Sequence, residues 1–210
     1  MSIDSVPTIH EDLFGFKHNE PDKIDIHGER ALAFWFYLMS DAMIFAILFA
    51  NFGILVHGTA GGPDMSEILN MPRVALQTAL LLLSSLTFGL VTISALSKNR
   101  NVAIIWLCVT FALGAGFLIL EIGEFSEMVA EGATPQVSGF LSAFYVLVGT
   151  HGLHMVFGLG MLTVMLIQFL TKGLTLPVLS RLYRVGLFWH FLDLIWVAIF
   201  SYVYLPGALN

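Results

Sequence analysis

The sequence predicts an all-α integral membrane protein with five transmembrane helices, its N-terminus cytoplasmic and its C-terminus periplasmic. Three observations carry that prediction. Of the 210 residues, 57% are apolar or aromatic and only 11% are charged, against about a quarter charged in soluble domains. A water-soluble domain of this size has too much surface facing solvent to hide so many apolar side chains. The apolar residues fall into five runs, roughly 31–56, 74–97, 102–120, 139–170 and 185–205, each near the ~20 residues that span hydrocarbon as a helix. Eight of the nine Lys and Arg fall on one side of the membrane when the runs alternate in direction.

Residues 1–30 carry ten of the 24 charged residues (Lys17, Lys23, Arg30 and seven acids) and no long apolar run. They read as a cytoplasmic tail. Run 31–56 follows that tail and is much longer than the apolar core of a signal peptide, so it reads as a spanning helix and not as a cleaved leader. The connection 57–73 opens with His57-Gly58-Thr59-Ala60-Gly61-Gly62-Pro63 and has a second proline at Pro72, which is turn chemistry. Run 74–97 carries no charged residue before Lys98 apart from Arg73 at its edge, and contains Ser85-x-x-x-Gly89. Run 102–120 contains Gly114-Ala115-Gly116 and leads into Glu121, Glu124 and Glu127. The fourth run has 32 residues, about 48 Å as a helix, so it tilts or projects beyond the bilayer. Run 185–205 leaves a short periplasmic C-terminus at 206–210. The small residues, with Gly158 and Gly160 in the fourth run, predict close helix packing.

Orientation follows from the bases, because Lys and Arg are retained on the cytoplasmic side. Lys17, Lys23, Arg30, Lys98, Arg100, Lys172, Arg181 and Arg184 share one side, and Arg73 alone lies opposite. Several function classes are excluded. A net charge of −6 repels phosphate, so nucleic acid is not a partner. The single cysteine, Cys108, forms no intrachain disulfide and no CxxC motif. No phosphate-binding loop follows a strand.

Ionisable groups within the apolar runs are the functional candidates, since they are costly at membrane depth. They are Asp41 in the first helix, Glu121 and Glu124 at the end of the third, His151 and His154 in the fourth, and His190 and Asp193 in the fifth. The i, i+3 spacing places Glu121 with Glu124, His151 with His154, and His190 with Asp193 on common helix faces. Glu and His pairs of this spacing build di-metal sites in helical bundles. Depth opposes that reading. With helices starting near 102 and 184, Glu121 lies about 28 Å along its helix and His190 about 9 Å along its own. A b-type haem between His154 and His190 is a further possibility, since such haems take two histidines from facing helices. So is an interhelical network in which Asp41, His154, His190 and Asp193 satisfy one another and fix the packing of helices 1, 4 and 5. A proton-coupled carrier or channel using Asp41 and the His/Asp pairs as a relay is the alternative from another class. Glu127 and Glu131 read as a solvated acidic rim.

Motif order across the five runs adds a family likeness. The carriers are Phe34-Trp35-Phe36-Tyr37-Leu38-Met39-Ser40-Asp41, Asn70-Met71-Pro72, Gly114-Ala115-Gly116-Phe117 and Glu121-Ile122-Gly123-Glu124-Phe125. Ser138-Gly139-Phe140, Gly149-Thr150-His151-Gly152-Leu153-His154 and Phe188-Trp189-His190-Phe191-Leu192-Asp193-Leu194-Ile195-Trp196 complete the set. In this order the sequence resembles subunit III of the haem-copper terminal oxidases, most closely the short form found in bacterial cytochrome bo-type ubiquinol oxidases.

The resemblance implies a non-redox accessory subunit in the bacterial inner membrane, multi-pass and without catalytic residues, metal or cofactor of its own. In this family the haems and copper belong to the large catalytic subunit. The third subunit packs beside it, together with other oxidase subunits, holds structural phospholipid and supports proton uptake. The chain matches the last five of the seven helices in longer members. Many of those carry a carbodiimide-reactive Glu where this chain has Asp41. That Asp and the loop from His57 to Pro63 look more like the quinol-oxidase branch than the cytochrome c branch.

Overall fold

The computed structural model describes residues 26–56, 58–59 and 70–206. The tail through residue 25, with Lys17 and Lys23, most of the connection 57–69 and the end from 207 lie outside the described residues. The architecture is a bundle of five long helices: α1 (Ile26–Leu55), α2 (Met71–Leu96), α3 (Arg100–Ala130), α4 (Gly139–Lys172) and α5 (Leu176–Ile199). A π-helical turn, Phe200–Tyr204, continues α5. All five are long and apolar enough to cross a membrane.

α2 and α3 pack most extensively; α4 lies against α3 and α5, α5 also against α2, and α1 leans on α4 and α5. Local chemistry sets the helix ends. Pro72 and Pro177 lie in the first turns of α2 and α5, where the absent N–H costs nothing and the ring fixes φ for the helix. Ser138 accepts a hydrogen bond from the Leu141 amide at 3.1 Å and caps α4. Gly173 ends α4 at φ +67, a conformation glycine adopts without the Cβ clash. The Arg100 guanidinium donates to the Leu170 carbonyl at 2.8 Å, so the start of α3 satisfies one of the open carbonyls at the end of α4.

Helix and apolar run are different quantities here. α3 continues to Ala130, which puts Glu121, Glu124 and Glu127 on helical turns. α5 starts at Leu176, eight residues before the start near 184 used to estimate depth. His190 therefore lies about 21 Å along its helix, not 9 Å. The early turns escape a hydropathy reading because they are amphipathic: Val178 and Leu182 are buried, while Arg181 is exposed. Arg181 and Arg184 thus belong to the helix, and the connection before it is only Gly173–Thr175.

Two tryptophans organise the centre. Trp189 donates its indole N–H to Ser84 at 3.1 Å and Trp196 donates to Thr78 at 3.1 Å, both joining α5 to α2. A Cβ at Gly114 or Gly158 would press on the Trp189 ring at 2.7 and 3.1 Å. These two glycines make the close approach that the small-residue clusters predict. Gly89 and Gly160 face open space, so Ser85-x-x-x-Gly89 is not a packing motif in this bundle.

Candidate functional site

The candidate polar residues divide among three seams. On the α1–α4 seam, Oδ2 of Asp41 lies 3.6 Å from Nε2 of His154. Both groups sit about 21–22 Å from the end where Leu55 meets Gly139, so their levels match. Nδ1 of His154 is 2.8 Å from the Thr150 carbonyl. A carbonyl only accepts, so Nδ1 donates to it, and Nε2 is the ring nitrogen turned toward Asp41. Phe45 and Phe188 flank the imidazole.

On the α2–α5 seam, Oγ of Ser85 is 2.7 Å from Nδ1 of His190, and Asp193 lies one turn further along α5. Ser85 and His190 each lie about 21 Å from the Met71 and Tyr204 ends of their helices. This cluster is level with Asp41 and His154 but on another side of the bundle. The expected network across helices 1, 4 and 5 is thus two separate pairings, and His190 ties α5 to α2.

The third cluster occupies the end of the bundle where α2 and α4 begin and α3 and α5 finish. Glu121 and Glu124 are buried there, with Gln77, His151 and Tyr204. Gln77 donates to Glu124 at 3.2 Å. The Glu121 carboxylate rests on α4 at Gly152, where a Cβ would come within 2.9 Å of Oε1. His151 is wedged between Phe117 and Trp196, and Trp196 contacts Tyr204. Tyr204, the last residue of the π turn, is buried. At the rim Arg73 pairs with Glu127 through both carboxylate oxygens, Nη2 to Oε1 at 2.8 Å and Nη1 to Oε2.

His151 and His154 therefore do not act as a pair. An i, i+3 offset leaves about 60° between side chains; that is enough to turn one toward α3 and α5 and the other toward α1. Among the described residues no three His, Cys, Asp or Glu side chains assemble as a metal-ligand set. His154 lies on the α1–α4 seam and His190 on the α2–α5 seam, on different sides of the bundle, so the residues present do not fit a haem between them. Sequence reasoning missed Ser85, Gln77 and Tyr204. Ser85 and Gln77 are uncharged within an apolar run, and Tyr204 stands at a helix end. The only available signal was polarity itself, since α2 gathers Gln77, Thr78, Ser84, Ser85 and Thr87 along its length.

Fold and seams together define a polytopic helical membrane protein that sets most of the ionisable side chains buried within its described helices against neighbouring helices. The chain belongs to the cytochrome c oxidase subunit III family, whose model matches residues 23–208. It is 47% identical to cytochrome bo(3) ubiquinol oxidase subunit 3 of Pseudomonas aeruginosa over 192 residues, 91% of this chain and 92% of that protein. Quinol oxidase subunit 3 of Bacillus subtilis is 42% identical over 176 residues, 85% of this chain and 86% of the relative. Cytochrome c oxidase subunit 3 of Bacillus sp. PS3 is 44% identical over 183 residues, with 85% and 86% covered.

Proposed function

We propose that this chain is the non-redox third subunit of a proton-pumping ubiquinol oxidase, which passes electrons from quinol to oxygen. The observation that carries the reading is the likeness, along nine-tenths of the chain, to a ubiquinol oxidase subunit 3. The protein lies in the bacterial inner membrane with its N-terminus cytoplasmic and its C-terminus periplasmic, supported by the eight-to-one distribution of basic residues. It is organised as a tail 1–30, a bundle 31–205 and a short end 206–210. Its partners are the large haem-copper subunit and the other oxidase subunits; haems and copper reside in the large one.

The role is support. Asp41 and His154 hold α1 to α4, and His190 and Asp193 hold α5 to α2. The outward faces of α1, with Phe36, Met43, Ile47 and Ile54 exposed, suit phospholipid and an apolar protein surface. The subunit also supports proton uptake by the complex, and His151, Glu121 and Glu124 form an acidic cluster toward the opposite, periplasmic end of the bundle. Purification of the native complex in mild detergent tests the reading: the chain is expected to co-migrate with a haem-bearing large subunit. Consistent migration without one refutes it.

A further inference from the structure

The end cluster contains more polar atoms than its own contacts can use. Oε1 and Oε2 of Glu121, Oε1 of Glu124, Oε1 of Gln77, both ring nitrogens of His151 and the hydroxyl of Tyr204 are shielded from solvent with no hydrogen-bond partner. These are seven of the ten such side-chain atoms among the described residues. Buried polar atoms are nearly always satisfied, by protein or by ordered water. Seven exceptions in one place require a common explanation.

Bulk solvent does not supply one, because the residues are fully enclosed: Glu121 is 2% exposed, and Gln77, His151 and Tyr204 are 0%. A counter-ion does not supply one either. The cation that faces Glu124 is Arg73, and both oxygens of Glu127 engage it at the rim. No described Lys or Arg is placed against Glu121. The other titratable groups facing the cluster are Glu127 from α3, His151 from α4 and Tyr204 from the π turn. Ionisable groups at membrane depth face the bundle interior or a water-filled cavity.

We propose that α2, α3, α4 and the π turn enclose a chamber that binds a small cluster of water molecules among Glu121, Glu124, Gln77, His151 and Tyr204, closed at the rim by the Arg73–Glu127 pair. A buried water makes about three hydrogen bonds, and this set offers both acceptors and donors: carboxylate and amide oxygens, the imidazole N–H and the phenol. Gly152 is part of the wall, since a side chain there would displace the Glu121 carboxylate. The site goes beyond the accessory role and does not depend on which oxidase partner the chain has.

Hydroxyl-radical footprinting of the native complex in oxygen-18 water tests it. Radicals generated from water mark buried side chains only where bound water touches them. Tyr204 is expected to be labelled several-fold more than Trp189 and Phe88, which are equally buried but lie away from the chamber. Joint replacement Gln77→Leu and Glu121→Leu is expected to lower Tyr204 labelling toward the Trp189 level. Tyr204 labelled no more than Trp189 overturns the proposal, and the unmodified complex decides this if the variant fails to fold. Unchanged labelling in a folded variant overturns the assignment of Gln77 and Glu121 as the groups that hold the water.

Discussion

Replacing Gly114 by alanine places a methyl group in one of the tightest interhelical contacts of the bundle. Its carbon would lie 2.7 Å from Cη2 and 2.8 Å from Cζ2 of Trp189, and 3.3 Å from Cδ2 of Leu159. Carbon atoms in contact stand about 3.5–4.0 Å apart, so the indole has to retreat by about 1 Å. It has little freedom to do so. The ring also rests on α4 at Gly158, and its N–H is held by Ser84 at 3.1 Å. Overpacking of this kind costs about 1–3 kcal/mol, and loss of the indole hydrogen bond about 0.5–1.5 kcal/mol. Helix propensity acts in the other direction, favouring Ala over Gly by about 1 kcal/mol. The net expectation is a loss of about 1–3 kcal/mol. Gly89→Ala and Gly160→Ala are the controls: nothing lies within 4 Å of either new methyl, so only the propensity gain remains. The assay is thermal unfolding in detergent, followed by tryptophan fluorescence and by the folded fraction surviving size exclusion. Gly114→Ala melting at or above wild type refutes the reasoning. So does a loss in Gly89→Ala equal to that in Gly114→Ala.

Three further outcomes follow from the seams. Asp41→Asn is expected to keep the wild-type melting temperature, because the amide keeps a polar group against Nε2 of His154. Asp41→Leu removes that partner and is expected to lose about 1–3 kcal/mol; equal melting of the two variants would show that the contact carries no weight. A double-mutant cycle of Ser85→Ala and His190→Phe in the same thermal assay is expected to show a coupling of about 0.5–1.5 kcal/mol, and none if the 2.7 Å contact contributes nothing. Gln77→Leu leaves Glu124 without its donor on α2 and is expected to destabilise by about 1–3 kcal/mol; wild-type stability would show that the bond carries no weight.

The five helices were legible because hydropathy reports them directly, and the candidate residues because charge is rare in apolar runs. What sequence could not supply was which face each residue turns to and where each helix begins. His151 and His154 differ by three positions, and only the placement of α1 on one side and Trp196 on the other separates them. The depth of His190 was misjudged because the first turns of α5 pack Val178 and Leu182 inward while carrying Arg181 outward, a pattern that average hydropathy cancels. Gln77 escaped notice, and Ser85 stood only as a small residue of Ser85-x-x-x-Gly89, because an uncharged polar residue in an apolar run signals nothing until the structure shows what it touches. The family motifs bypassed these gaps, since their order across the chain does not depend on knowing any helix face.

The distribution of polar contacts follows from the solvent this protein occupies. In a bilayer the lipid tails are as apolar as leucine, so burying Leu against Leu contributes little to helix association. Close packing and hydrogen bonds between helices have to decide which helices meet. The bundle shows this division. Its outer faces are covered by Leu, Ile, Phe and Met that need no particular neighbour, such as Ile54, Met43 and Leu153. Three of the seams carry a polar device of their own. α2 and α3 share the Thr87–Thr110 hydroxyl contact at 2.8 Å and the Gln77–Glu124 bond. α2 and α5 share two indole N–H bonds and the Ser85–His190 contact; α1 and α4 share Asp41 with His154. α1 presents the fewest such devices and exposes the most large apolar side chains along its length. Within an isolated chain it is therefore the helix held least firmly, and the one whose position gains most from a neighbour pressed against its outer face.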